Sequence, residues 1–152
     1  KGETIMKGYY KNPEATAEVI RDGFVHSGDL GVMDEEGYIT LVDRKKDMII
    51  TGGENVYSKE VEDAIYENPK IQEACIIGLP HPDWGETVMA VVALKPNEQM
   101  DIKELREFLK TRIADYKIPR MLEIMPALPR NVAGKVLKYK LREDLKDRVK
   151  KK

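Results

Sequence analysis

The stretch Asp43–Glu62, DRKKDMIITGGENVYSKEVE, decides how this chain is divided. It opens on a charge cluster (Asp43, Arg44, Lys45, Lys46, Asp47), crosses the apolar run Met48-Ile49-Ile50, turns at Gly52-Gly53, and enters a helix through Tyr57-Ser58. Paired glycines accept the positive φ of a two-residue hairpin turn. Beside an exposed charged segment they also suit a place where the backbone pivots or approaches a ligand. The residues alone leave both readings open.

Upstream, turn punctuation falls at Gly2, Gly8, Asn12-Pro13, Asp22-Gly23, Gly28 and Glu36-Gly37, with short β-type runs between, notably Phe24-Val25-His26 and Tyr38–Val42. Pro13 followed by EATAEVI predicts one short helix with an Asn12 cap. Strands this short, with few neighbours, are expected to lack a core of their own. Downstream the pattern becomes α+β. Met48–Tyr57 predicts a hairpin, and Ser58 is expected to cap a helix with Val61, Ala64 and Ile65 on its apolar side, ended by Asn68-Pro69. Ile71–Leu79 and Glu86–Lys95 predict two central buried strands joined by the loop Pro80–Gly85, which includes His81. Asp101 and Glu104 form a capping-box signature, with Met100 and Leu105 placed as a hydrophobic staple. The helix they open presents Ile102, Leu105, Phe108, Leu109 and Ile113 at helical spacing. Met121–Met125 predicts a third strand, Pro129–Gly134 a loop, and Leu137–Lys150 a basic helix with a fraying Lys-rich end.

Composition narrows the function classes. With Lys+Arg 26 against Asp+Glu 27 the formal net charge is -1, so no global field selects nucleic acid or an anionic membrane. The single cysteine, Cys75, rules out an internal disulfide framework and CxxC metal sites, and fits a cytoplasmic protein. No apolar run approaches the roughly 20 residues of a membrane span. Lys1–Tyr10 shows no leader pattern and reads as mid-domain sequence, so the chain is expected to be a piece of a longer protein.

Four places offer chemistry. In His26-Ser27-Gly28-Asp29-Leu30, an aspartate after a glycine turn can accept two hydrogen bonds from a sugar diol, although most Ser-Gly-Asp tripeptides are turns. Asp43–Asp47 alone reads as a solvated charged face. Gly52-Gly53-Glu54-Asn55 would let a thin arm pass close to the backbone. Trp84 and Tyr116 stand in loops where an aromatic face can stack a base or simply pack, and Lys117 and Arg120 can meet phosphates. The fourth place, Pro129-Arg130-Asn131-Val132-Ala133-Gly134-Lys135-Val136-Leu137, lacks the first glycine and the Ser/Thr of a P-loop. No metal-ligand cluster is visible, and nothing beside either histidine suggests a nucleophilic dyad.

Together these segments resemble, in order, the motifs of the adenylate-forming enzymes, and GGENVYSKEVE resembles the fatty acyl-CoA synthetase version. The resemblance covers the whole chain and implies an α+β fold. Residues 1–43 would be the terminal β-rich strip of the large AMP-binding domain, 44–47 a hinge, and 48–152 a small C-terminal lid. That lid would have a β-hairpin and a short central sheet flanked by helices. The implied reaction joins a carboxylic acid to CoA through an acyl-adenylate, with ATP and CoA as co-substrates. Mg²⁺ would be held mainly by the protein's own N-terminal domain, which is the implied partner. By the same resemblance Asp29 binds the ribose, with Ser27 for the usual threonine. Arg44 contacts the nucleotide and Lys46 is the hinge position. Gly52, Gly53, Glu54, Trp84, Tyr116, Lys117 and Arg120 lie on the CoA side, and Lys135 is the adenylation lysine. Lys138 departs from the arginine of many relatives. Two alternatives remain: the lid of a carrier-protein-loading adenylation domain, or a non-catalytic binding module. The resemblance places the acyl pocket outside these residues.

Overall fold

The computed structural model describes residues 1–149, so the helix expected to reach Lys150 and the fraying expected at 150–152 fall on a stretch outside the described residues. The chain divides into two compact units, Lys1–Lys46 and Asp47–Lys152. The fold is α+β.

In the first unit, α1 (Pro13–Val19) starts where its sequence predicts: Asn12 Oδ1 accepts from the Ala15 N–H at 3.0 Å, and proline fills the first position. β1 (Ile20–Arg21) and β2 (Phe24–Val25) pair across Asp22-Gly23, both at positive φ. β3 (Asp29–Met33) runs antiparallel to β4 (Ile39–Arg44), with an irregularity between Leu30 and Gly31. Arg44 therefore closes a strand, and the units divide two residues later. No residue of this unit is buried, as expected of strands with so few neighbours.

The second unit opens with the hairpin of β5 (Ile49–Thr51) and β6 (Glu54–Val56), turned by Gly52 at φ +59° and Gly53 at φ +86°. Helix α2 (Ser58–Tyr66) follows and buries Val61, Ala64 and Ile65. Its start differs from the sequence-based expectation. Tyr57 occupies the cap position without a side-chain cap bond, while Ser58 is the first helical residue and accepts from Lys138 Nζ at 2.8 Å. A cationic donor in a buried setting competes well for a hydroxyl that would otherwise serve the helix end.

β7 (Ile71–His81) and β8 (Gly85–Leu94) pair antiparallel over almost their full length. Both are longer than predicted, so the connection shrinks to Pro82-Asp83-Trp84 and His81 ends a strand. At the start of α3 (Ile102–Leu109), Asp101 Oδ1 accepts from the Glu104 N–H at 2.8 Å, while the Glu104 carboxylate takes Lys70 instead of completing the box. Met100 and Leu105 enter the same core cluster. Within α3, Leu105 and Leu109 are buried and Ile102 and Phe108 only partly so; Ile113 lies beyond the helix. β9 (Met121–Ile124) pairs parallel with β8. α4 (Lys138–Leu145) is shorter than the expected helix and passes into a 3₁₀ turn, Lys146–Arg148.

The resulting sheet has the order β6-β5-β8-β7, with β9 also on β8. Because successive strand residues point to opposite faces, β7 and β8 feed two cores. Ala74, Ile76, Val88, Ala90 and Val92 pack with α2 and α3, and Cys75, Ile77, Leu79, Met89 and Val91 pack with Leu128, Leu141 and Leu145. Two-sided burial explains the unbroken apolar run in each strand. The outer edge of β7 is covered by side chains of α2: the Ala74 N–H donates to Tyr66 Oη at 3.0 Å and the Ile76 N–H to Glu62 Oε1 at 2.8 Å.

Candidate functional site

Three places gather the residues singled out in the sequence. In the first unit, Asp29 and Arg44 stand opposite each other in the β3–β4 register, with Arg44 Nε 3.1 Å from Asp29 Oδ1. Gly28, at φ +76°, turns the chain into β3, and its carbonyl accepts from the Lys45 N–H at 2.8 Å. An acidic oxygen pair and a guanidinium side by side can address a diol and a phosphate. Lys46 is exposed and is the last residue of this unit.

In the second unit the glycine hairpin meets the β7–β8 connection. The Gly52 N–H donates to the Trp84 carbonyl at 3.0 Å. The Arg120 guanidinium lies 3.7 Å from the centroid of the Trp84 ring, which stacks on His81 at 4.6 Å and 12°. Arg120 Nη1 also donates to Thr51 Oγ1 at 3.2 Å. Burial, with Arg106 as a neighbouring cation, lowers the Arg120 pKa from its ordinary value. Gly52, Gly53, Trp84 and Arg120 thus form one surface: a backbone ridge without side chains beside a cation–π pair. Glu54 sits on it, exposed, across the hairpin from Thr51.

Tyr116 and Lys117 form a neighbouring but separate pair. Lys117 Nζ reaches both Glu60 oxygens at 2.6 and 2.8 Å, and the hydrogen bond to Glu60 raises its pKa. Its charge is therefore engaged by α2 rather than presented for a phosphate, while Tyr116 keeps an exposed ring.

The third place is the lysine loop. Asn131 organises it: its N–H donates to the Lys135 carbonyl at 2.9 Å, and its Oδ1 accepts from the Ala133 and Lys135 N–H groups at 3.0 and 2.9 Å. Gly134, at φ +80°, lets the turn close. Arg130 donates to the Gly134 carbonyl at 2.7 Å and forks onto Glu73 of β7, with Nε at 3.1 Å from Oε2. Lys135 leaves this anchored turn exposed, and no ion pair involves it among the described residues.

Sequence reasoning missed the supports around that loop. Lys138 Nζ reaches Glu62 Oε1 and Ser58 Oγ, both at 2.8 Å, joining α4 to α2 around the outer edge of β7. Arg142 of α4 also pairs with Asp47, two residues ahead of β5, at 2.9 Å. Nothing in the local spacing marks these pairs. Among the described residues no three His, Cys, Asp or Glu side chains converge as metal ligands. No helix among them is long and apolar enough to cross a membrane.

The family model described as the AMP-binding enzyme C-terminal domain matches residues 60–135. A long-chain-fatty-acid–CoA ligase of Bacillus subtilis is 48% identical over 144 residues, which cover 95% of this chain and 26% of that protein. A feruloyl-CoA synthase of an Amycolatopsis species is 48% identical over 93% of this chain and 29% of its own length. The crystal structure of ATP-bound MatB from Rhodopseudomonas palustris superposes with a TM-score of 0.90 and 43% identity, covering 99% of this chain and 30% of that one. The chain thus spans less than a third of the length of the relatives it matches.

Proposed function

Because the chain belongs to the AMP-binding enzyme C-terminal domain family, we propose that it serves as the lid of an acyl-CoA synthetase, preceded by the closing strip of the large domain. In the whole enzyme a carboxylate attacks the α-phosphorus of ATP, forming an acyl-adenylate and releasing pyrophosphate. The CoA thiol then attacks the acyl carbon and AMP departs. A fatty acid is the proposed carboxylate. The equal identity to a fatty-acid and a feruloyl ligase fits an acyl group read outside these residues.

The observation that carries this reading is the presentation of Lys135. Adenylation brings two anions together, and a compact ammonium on a long stem offsets their repulsion only if it is free to reach them and is held by a preorganised base. An exposed lysine on an internally bonded turn meets both needs. Asp29 would hold the ribose and Arg44 the nucleotide's phosphate side. Lys46 would be the pivot, bringing Lys135 forward for adenylation and the Gly52-Gly53 surface for thioester formation. There Trp84 and Arg120 would receive the CoA nucleotide, beside Tyr116 and Lys117, while Gly52, Gly53 and Glu54 flank the arm. Mg²⁺ would accompany the ATP phosphates.

The test separates the half-reactions. In the full-length enzyme, Lys135→Ala should abolish most pyrophosphate exchange yet still convert supplied acyl-adenylate and CoA to thioester. Equal loss of both steps would defeat the assignment. Residues 1–152 alone should neither exchange pyrophosphate into ATP nor form acyl-CoA.

A further inference from the structure

The glycine hairpin is joined to the rest of its sheet by very little backbone. β5 and β8 share a single register pair, Thr51 opposite Gly85, although the strands continue side by side past it. Where the ladder would next supply a carbonyl, the Ile50 N–H instead donates to Glu86 Oε2 at 2.9 Å. A side-chain carboxylate therefore replaces a strand carbonyl, and a charge-assisted bond of this kind is stronger than the amide bond it replaces.

The room for it is built in. A Cβ at position 78 would stand 2.6 Å from Glu86 Oε1 and 3.0 Å from its Cδ. Gly78 has no positive φ to explain its glycine, being mid-strand in β7 and opposite Val88. Glycine weakens a strand interior, so its presence marks a close approach. Here the approaching groups are the Glu86 carboxyl and, at 3.1 Å, Ile49 Cγ2 of β5. The hairpin is also attached by the Gly52 N–H to the Trp84 carbonyl, by Arg120 to Thr51 Oγ1, and by Ile49 and Val56 buried in the core.

We infer that Glu86 is a positioning residue for the thioester-forming step: its carboxylate, seated in the space left by Gly78, sets the height of the Gly52-Gly53 ridge that flanks the CoA arm. This deepens the proposed function and rests on it. Glu86 touches no reacting atom; it acts through Ile50 and the turn one residue beyond.

The test uses the full-length enzyme and reads the two half-reactions separately, with Glu86→Gln, Glu86→Met, Gly78→Ala and Gly52→Val. Glutamine keeps an acceptor oxygen for the Ile50 N–H, whereas methionine keeps bulk without one. Glu86→Met and Gly78→Ala should each slow thioester formation from supplied acyl-adenylate, or raise the KM for CoA, by roughly tenfold, leaving pyrophosphate exchange within about twofold. Glu86→Gln should recover most of the loss. Amide exchange at Ile50 should quicken in Glu86→Met and stay slow in Glu86→Gln. Glutamine no better than methionine, or equal loss in both half-reactions, would overturn the inference. If Gly52→Val also leaves thioester formation unchanged, the assignment of the hairpin to CoA is what fails. If Gly52→Val slows that step and Glu86→Met does not, only the role of Glu86 fails.

Discussion

Asp29 and Arg44 are joined twice: they face each other in the β3–β4 register, and Arg44 Nε lies 3.1 Å from Asp29 Oδ1. The pair is solvated, with side chains 51% exposed for Arg44 and 24% for Asp29, so it contributes under about 1 kcal/mol to stability. Its consequence lies in orientation, since the guanidinium fixes which way the carboxylate faces. In the full-length enzyme Asp29→Asn, which trades an acceptor for a donor, should raise the KM for ATP by about tenfold. Arg44→Met should raise it less. Pyrophosphate exchange against ATP concentration reads both, and an unmoved KM in Asp29→Asn would remove the ribose role.

Lys135 should be separable from the fold. Its side chain is exposed, so Lys135→Ala is expected to leave the midpoint of thermal unfolding within about a degree or two. Adenylation should fall by hundreds-fold, the rate equivalent of about 3–4 kcal/mol for a lost preorganised donor. A large drop in melting temperature would mean that the loop depends on the lysine structurally.

Lys138 should behave in the opposite way. Its pair with Glu62 is mostly covered, at 20% and 15% side-chain exposure, and Glu62 also accepts from the Ile76 N–H. Lys138→Met leaves a carboxylate without its cation and should destabilise the second unit by about 3 kcal/mol in urea unfolding. Lys138→Arg, which restores the cation, should cost under half of that. Equal stability of the methionine variant and the parent would show that the brace contributes nothing.

Burial of Cys75, on the face of β7 that packs with Leu141 and Leu145 of α4, pushes its thiol pKa up from 9.0 to about 12. The folded state thus favours the neutral thiol more than the unfolded chain does. The stability this gives is fully present below about pH 9 and is lost as pH rises towards 12. Stability should fall more steeply over that window in the parent than in Cys75→Ala, measured by urea midpoints at each pH. At neutral pH the folded thiol should resist alkylation and react only on unfolding. Parallel pH profiles would contradict the sign.

Much of the fold was legible because it rests on short-range rules. Asn12 before Pro13, Asp101 before its helix and Gly52-Gly53 between two β runs each need only neighbouring residues to act, and each appears where it was read. Ser58 misled for the same reason. Its local setting says cap, but Lys138, 80 positions along the chain, claims the hydroxyl. The Pro80–Gly85 loop was read too long because proline argues against strand, yet Pro80 holds its register opposite Glu86 near the end of the pair.

The sequence alone determined the α+β class, the order of the main elements from Met48 onward and the residue types of the candidate site, because periodicity, caps and motif spacing are written in consecutive positions. The tertiary structure decided which of those residues meet. Arg130 finds Glu73 from 57 residues away, Lys138 finds Glu62 from 76, and Glu86 reaches Ile50 from 36. Such pairings are set by strand register and by which face of the sheet each helix covers. Both depend on burying two apolar layers at once, a condition on the whole second unit that no single stretch of it expresses.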